Sequence, residues 1–592
     1  MRAISPRSGD EMPMSARGSF TRAYLAPFYL ALWPEAARAA LTRLAAPLMS
    51  WFRRSWLYRR TLSGPVPDRI LAVPDDPAPK RLEDADGLLR GRFRFAGQTL
   101  DVKQGSVFAV VPPGPDFAAG LHGFDWLGPL EAAGGEPARE LAHKLTAEWL
   151  DHHRRYGVPA WTPETLARRL VNLVAHGKFF LVNSDVLWRS RFFVSVRNQM
   201  RMLARLGARA PDGLPRFEAA AALALAGLAL GDAKRAQLGL ERLRQELARQ
   251  ILPDGGHVSR SPEALAHVCR DLLMVKDALA ARDFVLPDWL AGALDRAAPM
   301  LRFFRHSDGG FAVFNGGGEG DVRMVATLLA RDETKGQPFG HARHSGFHRL
   351  VAGRACVLLD AGAPPDGAWS AHAHAGTLAF EMSSGGQRIV VNCGTAVGHG
   401  PQWGDSLRAT AAHSTLVLAD TSSATLLPPG FMRDLLGPRI LAGPVKVESR
   451  RKEGSHGIAV DAAHDGYLPR FGITHLRRMT LSPQGLVLTG TDRLIPSGPR
   501  RTKGAPPLGF AIRFHVHPDV RLSLAQGGGS VILKLPNGDG WRFRAGGGAV
   551  SIEESIYLGG EIVRRTEQLV VSGQAGAEPA ECAWAFEMIG ST

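Results

Sequence analysis

Cysteine is scarce in this chain. The 592 residues hold four, Cys269, Cys356, Cys393 and Cys582, far apart and with no CxxC pair, which excludes a disulfide framework and a cysteine-based zinc knuckle. No run reaches the roughly 18 unbroken apolar residues of a membrane span. The nearest, 219–231, is Ala-rich, bounded by Glu218 and Asp232, and reads as a buried helix. The apolar stretch 25–33 ends in Trp-Pro-Glu rather than a small-residue cleavage site, so no cleavable signal peptide is written there. There is also no GxSxG elbow, Walker A loop, HExxH or well-formed GxGxxG, and the glycine runs at Gly316, Gly527 and Gly546 read as turns. Lysine is sparse as well: 11 of the 71 basic residues, which leaves 60 arginines against 56 acids and a net charge of +15. Guanidinium in such excess draws polyanions, whether nucleic acid, anionic lipid or acidic polysaccharide. The arginines are dispersed and no nucleic-acid motif accompanies them, so no specific nucleic-acid partner is expected.

What is present falls into three regions. Residues 1–110 combine a basic amphipathic segment, a Pro-rich linker at 65–80 and a short β segment around Arg92-Phe93-Arg94-Phe95. The stretch Trp51 to Arg60 interleaves aromatic and basic residues, a pattern that suits peripheral contact with an anionic membrane and equally a helix packed on its own domain. Residues 111–335 alternate helical pattern and short breaks, with helices predicted at 136–156, 163–177, 185–207, 215–230, 233–252, 262–282 and 287–304. Thr162-Pro163 and Ser261-Pro262 each set a hydroxyl acceptor before a proline suited to the first helical position. From about 336 to 592 the apolar period changes from 3.6 to 2, predicting strands at 351–359, 377–382, 389–392, 415–418, 445–447, 486–489 and 511–516. Turn signals stand at 383–386 and 537–540. The pattern predicts a multi-domain α+β protein, an N-terminal (α/α) toroid followed by a C-terminal antiparallel β-sandwich.

Histidine placement in the sheet region points to chemistry. In Ala371-His372-Ala373-His374-Ala375 two imidazoles alternate with alanines, and an extended backbone would set both on one face. Asn392 and His413 are positioned to join them at one sheet end. Glu319 and Asp321 lie in the glycine run and read as turn residues.

The chain resembles the heparinase II/III superfamily of polysaccharide lyases. The pieces that carry this are His372-Ala373-His374, Leu378-Ala379-Phe380-Glu381, Gly386 to Asn392, Arg408 to His413, His464-Asp465-Gly466-Tyr467, and His475-Leu476-Arg477-Arg478 with a strand ending at Asp492. The resemblance runs from about residue 121 onward. It implies toroid and sandwich, and β-elimination on a uronic-acid polymer. In that reaction a base takes the proton at C5, an acid protonates the departing O4, and cationic groups or a metal neutralise the uronate. By matching position it implies His372 in the catalytic cleft and one zinc ion at His374, Asn392 and His413. Tyr467 and His257 are further candidates for proton transfer, and Arg260, Arg408 and His464 for substrate binding. An acidic polysaccharide is the implied partner, and the cell envelope or periplasm the implied address.

The pattern departs from the family in three places. Asn392 stands where the family carries aspartate, and an amide oxygen is a poorer zinc ligand than a carboxylate. Asp254 to Pro262 is followed by Glu263-Ala264-Leu265 without the family's tyrosine, and 212–216 lacks its Asn-His pair. A lyase acting on an acidic glycan therefore stands beside a non-catalytic glycan-binding or envelope polysaccharide-assembly protein on the same scaffold. An inverting glycoside hydrolase would need two carboxylates facing each other across the cleft, and the toroid sequence shows no convincing pair.

Overall fold

The helical half starts where its caps are. Thr162 accepts from the N–H of Thr165 and Ser261 from that of Ala264, each ahead of a proline at the first helical position. A computed structural model of the protein describes residues 14–182, 184–333, 335–497, 506–525 and 529–591; residues 1–13 of the N-terminal segment and Gly527 lie outside them. The seven predicted helices are Gly135–His152, Pro163–Leu181, Val186–Leu206, Leu214–Ala229, Ala233–Gln250, Pro262–Ala280 and Asp288–Phe303. Among the described residues, no helix is long and apolar enough to cross a membrane.

The Ala-rich helix Leu214–Ala229 is buried along most of its length, and small residues let its neighbour approach backbone to backbone. A Cβ on Gly227 would lie 2.3 Å from the amide nitrogen of Ala236, and one on Gly239 2.2 Å from that of Ala224. Alanine at either position is therefore excluded by the facing main chain. One apolar core runs from Tyr58 through these helices to Leu358.

The Pro-rich stretch is not a free linker. Arg270 grips Asp76 with two bonds of 2.7 Å, Lys80 reaches Glu131 at 2.8 Å, and the N–H of Leu71 donates to Ala229 at 2.7 Å. Asp75, Asp76 and Lys80 find partners on the helical half, so the segment docks over its second part.

The first described element, α1 (Met14–Arg54), is a helix of 41 residues, followed by α2 (Trp56–Arg60). Tyr24, Leu25, Phe28, Tyr29 and Leu32 pack with Leu427, Met432, Leu436 and Leu441 of the sheet region. Glu35 pairs with the buried Arg439 at 2.9 Å. At the other end Arg53 and Arg54 donate to the hydroxyl and carbonyl of Tyr156 in the helical half. Residues 41–48, between these attachments, are all exposed, with Arg43 donating to the carbonyl of Asp434 at 3.1 Å.

Two antiparallel sheets make the second half. One has the spatial order Val447–Gly454, Gly457–His464, Ile473–Leu481, Val487–Pro496, Ala580–Ser591, Asp539–Gly546, Val531–Lys534, Arg521–Leu524. The other runs Ala549–Tyr557, Arg564–Ala575, Leu508–Val516, Gln387–Val391, Phe380–Ser384, Ala355–Asp360, Phe347–Ala352, His341–Ala342, with Leu416–Leu418 also pairing Leu508–Val516. Side chains of both, among them Phe380, Phe514, Met479, Trp541 and Phe586, share one apolar core. Both predicted hairpin turns are found, at 385–386 and 535–538. The single strand predicted over 351–359 is instead the hairpin Phe347–Ala352 and Ala355–Asp360, turning at Gly353 where φ is +51°.

Candidate functional site

The segment 370–376 is not a strand. A short 3-10 turn, Gly367–Ser370, leads into irregular backbone held from behind by 408–413. Arg408 Nε donates to the carbonyl of Ala373 at 2.8 Å and Nη2 to that of Ser370 at 2.9 Å. Thr410 Oγ1 donates to Ala375 at 2.7 Å, and the N–H of Ala375 donates back to Arg408 at 2.8 Å. The expectation that His372 and His374 share a face fails for this reason: with the backbone turning, His372 is exposed and His374 is buried.

His372 is the predicted site residue that faces solvent. Desolvation nonetheless lowers its imidazole pKa, with Arg408 adding to the shift and Asp116 opposing it. The glycine run presses on the other side: a Cβ on Gly316, whose φ is +79°, would lie 2.6 Å from the His372 carbonyl oxygen. Arg408, by contrast, is a buried support for this loop, and burial brings its guanidinium down to about 10.

The other predicted residues are placed elsewhere. Tyr467 is 1% exposed and donates its hydroxyl to the carbonyl of Leu416 at 2.8 Å. Burial raises the phenol further above its ordinary range, the reverse of what a proton shuttle needs. His464 lies in the sheet interior. Its Nε2 meets His475 Nδ1 at 3.1 Å, His475 Nε2 meets Asp492 at 2.7 Å, and Arg477 and Trp584 donate to the same carboxylate. His464, Tyr467 and Asp492 thus build core, and His464 cannot touch a substrate there.

The loop 254–262 clasps the two halves together. Arg260, at φ +59°, donates to the carbonyls of Ser345, Gly346, Gly362 and Ala363 and to Asp360. Asp254 accepts from the N–H groups of His344 and Ser345 and from the Ser345 hydroxyl. His257 is buried against Ser259 at 2.6 Å and Gln250 at 2.9 Å, and desolvation lowers it to about 4, so it is neutral. Arg260 and His257 are structural, since every direction they face is filled by main chain or side chain.

His374 and His413 do meet, Nδ1 to Nε2 at 3.0 Å, while His413 Nδ1 donates to the carbonyl of Ala409 at 2.8 Å. The Asn392 amide is engaged at both ends. Its oxygen accepts from the N–H of Ser414 at 3.0 Å, and its nitrogen donates to Glu381 at 3.2 Å and to the Val313 carbonyl at 3.2 Å. A zinc site needs at least three good donors. These residues offer two imidazoles and an occupied amide, and among the described residues no group of three or more His, Cys, Asp or Glu stands together for a metal. The donor set does not fit zinc.

One cluster was not legible in the sequence. Glu319 accepts the Tyr557 hydroxyl at 2.5 Å and is held near pKa 2, against its own burial, by His517, Arg388 and Tyr557. Arg388 binds Asp308 at 2.6 Å and lies 3.8 Å from Glu381, which His306 approaches at 3.1 Å. These residues come from separated segments with no shared spacing; the one local sign was an acid inside a glycine run.

A helical half clasped onto two antiparallel sheets that share one core, with an exposed histidine on an irregular loop, is a polysaccharide-lyase scaffold. The chain belongs to the heparinase II/III-like superfamily: a model of the heparinase II/III-like C-terminal domain matches residues 334–585. FtsZ-localized protein C of Caulobacter vibrioides is 34% identical over 544 residues, covering 89% of this chain and 91% of that protein. Among solved structures, heparinase III superposes with a TM-score of 0.66 at 16% identity over 87% of this chain and 86% of its own. The heparan sulfate lyase HepC of Pedobacter heparinus gives 0.55 at 16% identity, over 90% and 88%.

Proposed function

We propose that this protein is a division-site component in which a lyase scaffold, an (α/α) toroid over 111–335 on a β-sandwich over 336–592, binds an acidic glycan without cleaving it. The observation that carries this reading is the fate of the proton carriers. Elimination needs a base and an acid within hydrogen-bond reach of one sugar. His372 is solvent-exposed, whereas Tyr467 and His257 are buried and bonded to protein. The division-site address follows the relative's name, FtsZ-localized protein C.

Contact with an anionic membrane belongs to the same proposal. Leu30 and Trp33, and further along α1 Leu41, Leu44, Leu48 and Trp51 at spacings of three or four, are each more than half exposed, and Trp56 and Leu57 of α2 continue the apolar surface. Arg38, Arg43, Arg54 and Arg60 are exposed beside them. An apolar stripe flanked by arginine suits the headgroup boundary of a bilayer.

The test is direct. Incubated with a panel of acidic polysaccharides, the protein should bind, more weakly as salt rises, and should yield no ultraviolet absorbance from unsaturated uronate. Appearance of that absorbance would overturn the non-catalytic reading. The lyase reading has one observation in its favour, the solvent-exposed imidazole of His372. If that reading holds, His372→Ala should lower turnover by roughly a hundred- to ten-thousandfold while leaving binding nearly intact.

A further inference from the structure

The misfit at the expected zinc position has a structural counterpart. Asn392 stands between an acceptor and a donor: the Glu381 carboxylate faces its amide nitrogen and its main-chain N–H, and the N–H of Ser414 faces its amide oxygen. A carboxamide satisfies both sides at once. Aspartate would place a second buried carboxylate against Glu381, and like charges in a buried site oppose each other unless a proton or a cation enters. Glu381 is itself fixed by His306 and lies near Arg388. The acid next to position 392 is thus already compensated by protein groups.

The two histidines are matched in the same way. His413 donates from Nδ1 to a carbonyl, which leaves the Nε2 lone pair to accept from His374 Nδ1. The main chain beside them is tied as well, since the N–H of His374 donates to the Asn315 side chain at 3.3 Å and Arg408 holds Ala373. We propose that a hydrogen-bonded cassette, Glu381–Asn392–Ser414 with His374–His413, replaces a metal ion in fixing the His372 loop, and that Asn392 beside Glu381 is the determinant of metal independence. The inference holds whether or not the protein cleaves glycan.

The experiment uses the full chain purified without chelator, dialysed against zinc and then against metal-free buffer. Elemental analysis should find far less than one zinc per chain, and the melting temperature should be the same with and without EDTA. One zinc per chain, or a melting temperature that falls by several degrees in EDTA, overturns the proposal. In the paired variant Asn392→Asp/Glu381→Gln, which supplies a carboxylate donor and removes the opposing one, zinc should bind at about one per chain and raise the melting temperature. If that folded variant takes up no zinc, Asn392 is not the determinant and the proposal fails. Should it not fold, Asn392→Asp alone is put through the same two measurements: zinc uptake with a raised melting temperature supports the proposal, and their absence overturns it.

Discussion

Arg260 and Asp360 form an ion pair of 2.5 Å with both side chains buried, one from the helical half and the other from the end of a sheet strand. The guanidinium lies over the ring of Phe347, 4.5 Å from its centroid. Burial raises the Asp360 pKa and Arg260 opposes the rise. Removing one partner of a buried pair leaves the other charge uncompensated, so Arg260→Ala should cost about 3–5 kcal/mol. The midpoint of chemical denaturation will show it. Adding Asp360→Asn should return part of the loss; a double variant no better than the single would mean that the carbonyl contacts, not the charge pair, carry the clasp.

Docking of the 65–80 segment should depend on pH through His176, which lies 2.8 Å from Glu131 and 3.8 Å from Asp76. These two carboxylates raise its pKa above 6.5 in spite of burial. A raised folded value stabilises fully below the unfolded value and is lost as pH climbs through the folded one. Glu131, lowered from 4.5 to about 2 by His176 and Lys80 against its own desolvation, contributes above 4.5 and is lost as pH falls toward 2. The protection of amides over residues 70–80, with exchange taken relative to its intrinsic rate at each pH, should therefore be greatest between about 4.5 and 6.5 and fall on the alkaline side. His176→Gln should flatten that alkaline limb; an unchanged limb would assign the effect elsewhere.

Tyr467→Phe should leave glycan binding unchanged and lower stability by about 1–3 kcal/mol, since the buried Leu416 carbonyl loses its donor. Calorimetry of folding and of binding separates the two effects. A binding or turnover defect at unaltered stability would restore a chemical role to the phenol.

Leu44→Glu and Trp51→Glu replace side chains 77% and 70% exposed, so the fold should tolerate both. Each removes apolar burial of about 1.5–3 kcal/mol from a membrane contact, a loss of tenfold or more in partition. Co-sedimentation with vesicles rich in anionic lipid reads it, with neutral vesicles as control. Equal sedimentation of variant and parent would exclude the stripe as the contact.

The helices were legible because each carries its own local marks: hydroxyl caps at Thr162 and Ser261, proline after them, apolar residues on one face. Turns at 383–386 and 537–540 were legible for the same reason. The site was not, because its meaning depends on tertiary placement. Alternation in His372-Ala373-His374 has the period of a strand, and only Arg408 and Thr410, more than thirty residues away, bend that segment into a loop. Arg260 and His257 sit in a polar loop as cleft residues would; that the sheet half closes over them is invisible without the partner main chain of 344–346 and 362–363. Asn392 could be seen to differ from a zinc ligand, but Glu381, which makes the amide fit, is eleven residues distant with no spacing rule to connect them.

The bridging helix α1 has a mechanical consequence. At 1.5 Å per residue its length is about 60 Å, and it is fastened to the sheets near Glu35 and to the helical half near Arg53. It is a tie beam rather than a tether. A surface that receives Leu41, Leu44, Leu48 and Trp51 between those fastenings turns both halves together, and so sets the compass direction in which the exposed His372 faces.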